Sequence, residues 1–308
     1  MNQPYKLHFT QTVQRVLVKP TISPQSTFSP IQHPRKAFFE KAELLQQQVA
    51  SSPFYIELVE LSTKKLFSMI FEMLSPQYFL LFLLEGSFTI KTVEELFTCQ
   101  AKSGHFALIH NETGRYRLDL PKGKYTILCI YHLKEYLQKE SKDLDSIKSF
   151  SERQEKFPFS HLPFCRIDRM VSRHLKNIYI NLPSTKVKFE AQLKYHISMI
   201  LDRYNSMATK KMQKISWRVK EYLDQNYTNP DISLQVLADL LQSNTNQIRT
   251  KFKTEFGITP HQYYTSKRLA KALELKVKHN LPLSKIFYQV GYNDESALRY
   301  EMKKHGYV

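Results

Sequence analysis

Two short stretches near the end of the chain carry long polar and basic side chains at helical spacing. In the first, Asn246, Arg249, Thr250 and Lys253 fall on one face, while Ile248, Phe252 and Phe256 fall on the other. In the second, Glu295, Ser296, Arg299 and Tyr300 face away from Leu298 and Met302, with Lys303 and Lys304 close behind. Such a face suits hydrogen bonding to base edges and phosphates. Arg can span two guanine acceptors, and Asn can match adenine's donor and acceptor. An ordinary solvated face would look similar, so the weight comes from finding the arrangement twice. Other chemistries find less support. His105 and His110 are five residues apart, which puts them on opposite faces of one strand, and there is no His-x-His for a metal-dependent site. Gly123-Lys124-Tyr125 lacks the remaining glycine and hydroxyl of a phosphate loop. Cys99, Cys129 and Cys165 are odd in number and widely spaced, without a CxxC pair. No catalytic residue, metal site or cofactor is expected, and the chain is not read as an enzyme.

The elements that would hold these faces are marked by their caps. Ile215 to Asn226 predicts a helix, and Asn229-Pro230-Asp231 breaks it. Ser233 caps a second helix with Leu234, Leu237, Ala238 and Leu241 inward. Asn244 caps a third, with Gln247 placed as in a capping box; Gly257 stops it, and Thr259-Pro260 opens a long helix to Asn280. The pattern then repeats. Leu283, Ile286 and Phe287 form a fifth helix, Gly291-Tyr292-Asn293 the turn, and Asp294 caps the sixth. The units are therefore Ile232–Gly257 and Leu281–Gly306.

Upstream the code changes. Residues 1 to 36 hold five prolines among Ser, Thr and Gln and read as an irregular arm. Ala37 to Ala50 reads as a short helix. Gly86, Gly104, Gly114 and Gly123 then separate short runs rich in aromatic and β-branched residues, from Leu66 to His132, which predicts an antiparallel sandwich or barrel within residues 37–150. Residues 151–208 predict a helical hairpin. Ile167, Val171, Leu175 and Ile178 form one stripe; Leu193, Ile197, Ile200, Leu201 and Tyr204 form the other. Those stripes suit either packing on the β-domain or pairing of two subunits. Asn205 to Lys214 reads as a polar linker to the last domain, 209–308. The net charge is +17, of which +8 sits in the last 99 of 308 residues, so a polyanionic partner is expected there. The longest apolar run, Tyr78 to Leu84, is too short to span a membrane, and with no secretory signal a cytoplasmic protein is expected.

Residues 215–306 resemble the AraC/XylS family of bacterial transcription regulators. The motif is carried by Leu237-Ala238, Phe252-Lys253, Gly257, Pro260, Tyr263, Arg268-Leu269, Ala272, Val290-Gly291-Tyr292 and Asp294. The resemblance implies an α+β multidomain chain. It would comprise an N-terminal cupin-like antiparallel β-barrel that binds a small effector, a helical connector that pairs two subunits, and a C-terminal all-α double helix-turn-helix domain that sets two recognition helices in successive major grooves of double-stranded DNA. It also implies contact with RNA polymerase and action by activation. By the family pattern Asn246, Arg249 and Thr250 are the base readers of the first unit, and Glu295, Ser296, Arg299 and Tyr300 those of the second. The second unit departs from the pattern, with Phe287 where Ala is usual and Leu298 and Met302 where Phe is usual. It also ends at Gly306-Tyr307-Val308, where the family continues. An effector-independent, architectural DNA-binding protein is the alternative. The Phe-, Tyr- and Leu-rich β-runs, with few acidic residues, suit an apolar or anionic effector better than a cation.

Overall fold

The computed structural model describes residues 3–9, 12–18, 32–140, 143–152, 157–179 and 185–307. Contacts divide the chain into two units: Met1–Val93 with Gln100–Thr209, and Glu94–Cys99 with Lys210–Val308. The strands are β1 (Tyr5–Phe9), β2 (Arg15–Val18), β3 (Gln32–Phe38), β4 (Ala42–Ser51), β5 (Phe54–Thr63), β6 (Phe67–Met73), β7 (Gln77–Glu85), β8 (Ser87–Thr92), β9 (Thr98–Lys102), β10 (His105–Asn111), β11 (Gly114–Leu120), β12 (Gly123–Tyr131), β13 (Phe159–His161) and β14 (Cys165–Arg166). The helices are α1 (Leu133–Glu140), α2 (Asp145–Ser151), α3 (Arg169–Tyr179), α4 (Lys186–Met212), α5 (Ile215–Asn226), α6 (Leu234–Leu240), α7 (Thr245–Phe256), α8 (Pro260–Lys278), α9 (Leu283–Ile286) and α10 (Glu295–Lys304).

The first unit contains two open antiparallel sheets rather than one closed barrel. One runs β1-β6-β11-β8-β9; the other runs β13-β10-β7-β12-β5-β4-β3-β2, with β14 also on β10. Register decides which side chains meet. Tyr131 pairs with Tyr55, Cys129 with Glu57, and Glu57 with Gln48, so these residues share the face that looks toward β1 and β6. The alternate residues look toward the helices. Phe82 stacks on Phe106, which meets Tyr204 of α4. The Tyr204 hydroxyl donates to the Pro163 carbonyl at 2.9 Å and accepts from the Leu108 amide at 3.0 Å, a buried tie between α4 and the sheet.

The arm and short helix expected before residue 50 are corrected. β1, β2 and β3 lie where an irregular arm was expected, although residues 10–11 and 19–31 fall outside the described residues. Ala42 to Ser51 is a strand, because every residue of it pairs with β5 from Ala42↔Thr63 to Ser51↔Phe54. Its Glu, Leu and Gln content favours a helix locally, and the ladder overrides that preference. The hairpin begins at Arg169, not 151, since β13 and β14 extend the sheet; the break expected at 181–184 lies outside the described residues. Asn205–Met212 is the last part of α4 rather than a linker, with Tyr204 and Ala208 fully buried. Both apolar stripes of the hairpin are consumed inside the chain: Val171, Leu175, Ile178, Leu193, Ile197 and Ile200 are buried. Each such side chain contributes roughly 1.5–3 kcal/mol by burial.

Candidate nucleic-acid interface

The second unit is built on α5, α6 and α7, whose Val219, Leu223, Leu237, Ala238, Ile248 and Phe252 close one core. Ala238 is the small residue at the tight turn, and the Ser243 amide donates to its carbonyl at 2.9 Å. Ser233 and Asn244 cap as expected; their side chains accept from the Val236 amide at 3.2 Å and the Gln247 amide at 2.8 Å. The reciprocal half of the box at Asn244 is absent, because the Gln247 side chain accepts from the Ser243 hydroxyl instead, at 2.5 Å. A complete capping box forms at the next helix. The Thr259 hydroxyl accepts from the Gln262 amide at 3.2 Å, and the Gln262 side chain accepts from the Thr259 amide at 2.9 Å. Gly257 stands at φ 77° and closes α7, and Pro260 opens α8.

These caps aim the polar faces outward. Asn246, Arg249, Thr250 and Lys253 are all exposed along α7. Ser296, Arg299, Tyr300 and Lys303 are exposed along α10, which Asp294 caps by accepting from the Ala297 amide at 2.8 Å. All eight expected readers thus lie on two solvent-facing helix faces, over cores made by Ile248 and Phe252 in one unit and Leu298 and Met302 in the other. The two faces differ in ion pairing. Arg299 is ion-paired with Glu295 one turn earlier on the same helix. No ion pair holds Arg249 among the described residues.

The second unit is slighter. Its first helix, α9, is a single turn followed by a 3-10 turn at Tyr288–Val290. Gly291 then takes φ 86°, with the Thr228 carbonyl oxygen 2.5 Å and the Arg268 guanidinium 3.0 Å from where a Cβ would sit. Only glycine fits both constraints.

Two polar clusters that periodicity did not reveal hold this unit together. Asp224 of α5 receives Lys220 at 2.8 Å, Lys267 of α8 at 2.9 Å and the Tyr263 hydroxyl at 2.6 Å. Burial alone would raise the Asp224 carboxyl, but the two ammonium groups outweigh it and hold the carboxyl well below the usual range. The Lys267 ammonium also lies over the Tyr263 ring at 5.3 Å. Arg268 donates from Nε to the Tyr227 carbonyl at 2.6 Å and from Nη2 to the Asn229 carbonyl at 2.8 Å, and its guanidinium lies between Tyr264 and Tyr292. Lys220 and Asp224 stand one helical turn apart, a spacing that reads as a surface pair, and Lys267 joins them only through the fold.

A family model described as a helix-turn-helix domain matches residues 237–306. The C-terminal unit is an AraC-type helix-turn-helix domain. The probable transcriptional regulator LumQ of Photobacterium leiognathi is 28% identical over 88 residues, which is 29% of this chain and 36% of that protein. The chain thus matches about a third of the length of that relative. Among solved structures, the C-terminal domain of AraT, a response regulator from Geobacillus stearothermophilus, is 27% identical over 32% of this chain and 80% of that one, with a TM-score of 0.30. ToxT from Vibrio cholerae is similar over 83% of this chain and 95% of its own, at 14% identity and a TM-score of 0.33. Within the AraC-type domain α7 and α10 are the second helices of the two helix-turn-helix units, and α8 connects those units. No helix among the described residues is long and apolar enough to cross a membrane. No group of three metal-ligating side chains occurs among them.

Proposed function

We propose that the chain is a sequence-specific, DNA-binding transcription regulator that acts as an activator and answers to a small molecule held by its N-terminal unit. The observation that carries the DNA part is the pair of capped helices, each with a buried apolar face and an exposed polar one. In this reading Asn246, Arg249 and Thr250 read base edges in the major groove, with Lys253 on phosphate. Ser296, Arg299, Tyr300 and Lys303 add the second half of the footprint, weighted toward the backbone because Arg299 is already engaged by Glu295. A second copy of the chain and RNA polymerase are the proposed protein partners. The hairpin's apolar stripes are used internally, so a second copy would meet the outer face of α4, where Val187 and Tyr195 are exposed.

Genome-wide mapping of sites bound by the purified protein tests the reading. A shared motif upstream of a limited set of genes supports it, especially if Arg249→Ala relaxes the motif. Binding without a motif, falling uniformly with salt, would favour the architectural alternative.

A further inference from the structure

Both faces of the larger sheet are closed at their middle, and Leu83, Ala107 and Ile109 on the face toward the smaller sheet have no accessible surface. Toward the helices, Leu80, Phe82, Leu108, Leu128 and Ile130 have no accessible surface. Toward the smaller sheet, Gln46, Ile127, Cys129 and Tyr131 keep 6–8% of theirs. Leu7, Val59, Phe71 and Leu118 also point inward by register and are part-exposed. Those four part-exposed side chains show where the two sheets are less tightly closed over one another.

A carboxylate lies at the centre of that face. Glu57 is 2% exposed. It accepts from the Tyr5 hydroxyl, from Gln46 Nε2 at 2.5 Å and from Gln48 Nε2 at 3.2 Å, all neutral donors. No Lys, Arg or His is ion-paired with it among the described residues, and burial pushes its carboxyl up, against the pull of those three hydrogen bonds. A buried carboxylate without a counter-ion is costly. Two residues along the same face, Tyr55 is 3% exposed and its hydroxyl has no hydrogen-bond partner among the described residues. Aromatic rings surround the pair. Tyr131 lies 5.7 Å from Tyr5, 6.0 Å from Tyr55 and 4.9 Å from Phe79, and Phe71 lies 6.3 Å from Tyr5.

We propose that the space between the two sheets binds a small organic cation, a protonated amine with an apolar body, with Glu57 as its counter-ion and Tyr55 as a second acceptor. An ammonium group supplies a counter-ion for Glu57 and a donor for the Tyr55 hydroxyl, neither of which is supplied by an ion pair or hydrogen bond among the described residues. The ring faces of Tyr5 and Tyr131 attract the same charge, and Leu7, Val59, Phe71 and Leu118 take the apolar body. Tyr5 sits on the edge strand β1, so its hydroxyl occupies the place on Glu57 that the ammonium takes over. The inference rests on reading the N-terminal unit as an effector domain. It reverses the compositional expectation of an apolar or anionic ligand, because one buried acid outweighs the scarcity of acids elsewhere.

The test uses the full chain and three probes of one shape: phenethylamine, 2-phenylethanol and 3-phenylpropionate. Calorimetric titration is expected to show saturable binding of phenethylamine alone, with a raised melting temperature. Glu57→Gln keeps the shape and is expected to weaken binding at least about tenfold. Tyr55→Phe keeps the ring and removes a hydroxyl with no hydrogen-bond partner among the described residues, so the fold is expected to stand, and a several-fold loss is expected. Absence of phenethylamine binding, or unchanged affinity in Tyr55→Phe, overturns the proposal. Binding of 3-phenylpropionate or 2-phenylethanol without the amine overturns the cation assignment and leaves an effector domain standing. DNA binding is measured on the same preparation, so failure of the regulator reading registers separately.

Discussion

Replacing Asp224 by Ala should unfold the AraC-type domain far more easily than any surface change. Asp224 is the carboxylate shared by Lys220 and Lys267, whose side chains are 8% and 4% exposed, and it is itself 11% exposed. The attraction is therefore little screened, and removing the acid strips a buried counter-ion from two ammonium groups. Breaking such a pair costs about 3–5 kcal/mol, a large share of the roughly 5–15 kcal/mol that holds a domain together. With a urea slope near 2 kcal/mol per molar for a domain of this size, the midpoint should fall by about 2 M. Trp217 is the sole tryptophan of the chain and lies in α5, with its indole nitrogen donating to Glu255 at 2.9 Å. Its emission therefore follows this domain and not the sandwich. Asp224→Asn keeps an acceptor for Tyr263 but not the charge, so it should lose nearly as much. The pH response has a fixed sign. The folded carboxyl lies below its unfolded value of about 3.9, so the unfolded chain binds more protons in acid. The stabilisation is complete above that value and drains away as pH falls below about 4, and the variant should lack that acid-side loss. A midpoint shift under about 0.5 M, or an identical acid response in the variant, would show that the Asp224 carboxylate is not what holds Lys220 and Lys267 in the core.

Arg249→Ala should weaken specific DNA binding more than Arg299→Ala, by roughly 1–3 kcal/mol for the first, because Glu295 already neutralises Arg299; equal losses in a gel-shift titration would sink the ranking. Lys253→Ala should lower affinity alike for all sequences and reduce the salt slope by about one, which titrations at several salt concentrations would check. Gly291→Ala should cost well over the roughly 1–2 kcal/mol of a left-handed alanine, since its Cβ meets the Thr228 carbonyl at 2.5 Å, whereas Gly257→Ala, with open space around it, should cost only that backbone strain. Comparable melting temperatures for the two glycine variants would contradict the packing account.

What the sequence shows plainly is what local chemistry decides. Ser233, Asn244, Thr259 and Asp294 cap helices where their types and positions say they should, and the stripe Leu237-Ala238 with Ile248 and Phe252 is buried as its period demands. β4 escaped because Ala-Glu-Leu-Leu-Gln-Gln-Gln is a good helical sequence, and only its ten-residue ladder with β5 makes it a strand. Glu57 escaped for a related reason. Its significance lies in neighbours contributed by β1, β4 and β12, none of them near it in sequence apart from the adjoining hairpin strand. Asp224 likewise needed Lys267, 43 positions away, before an everyday one-turn spacing became a buried cluster.

The asymmetry between the two helix-turn-helix units follows from how they are fastened together. α8 has 19 residues, about 28 Å at 1.5 Å per residue, a span comparable with the roughly 34 Å between successive major-groove faces. It can set that separation only if both units are fixed to it. The first unit is fixed redundantly, by a capping box, the Phe252 and Tyr263 rings 5.5 Å apart, and the Asp224 cluster. The second has a one-turn α9, and it leans on Arg268, whose guanidinium bonds the Tyr227 and Asn229 carbonyls while lying against Tyr292. The same guanidinium borders Gly291, so the turn that aims α10 and the loop before α6 share one side chain. A reader held this way keeps its register through Arg268 rather than through a large core of its own. On that basis we propose that base reading falls chiefly to Asn246, Arg249 and Thr250, while the second face extends the footprint along the DNA backbone.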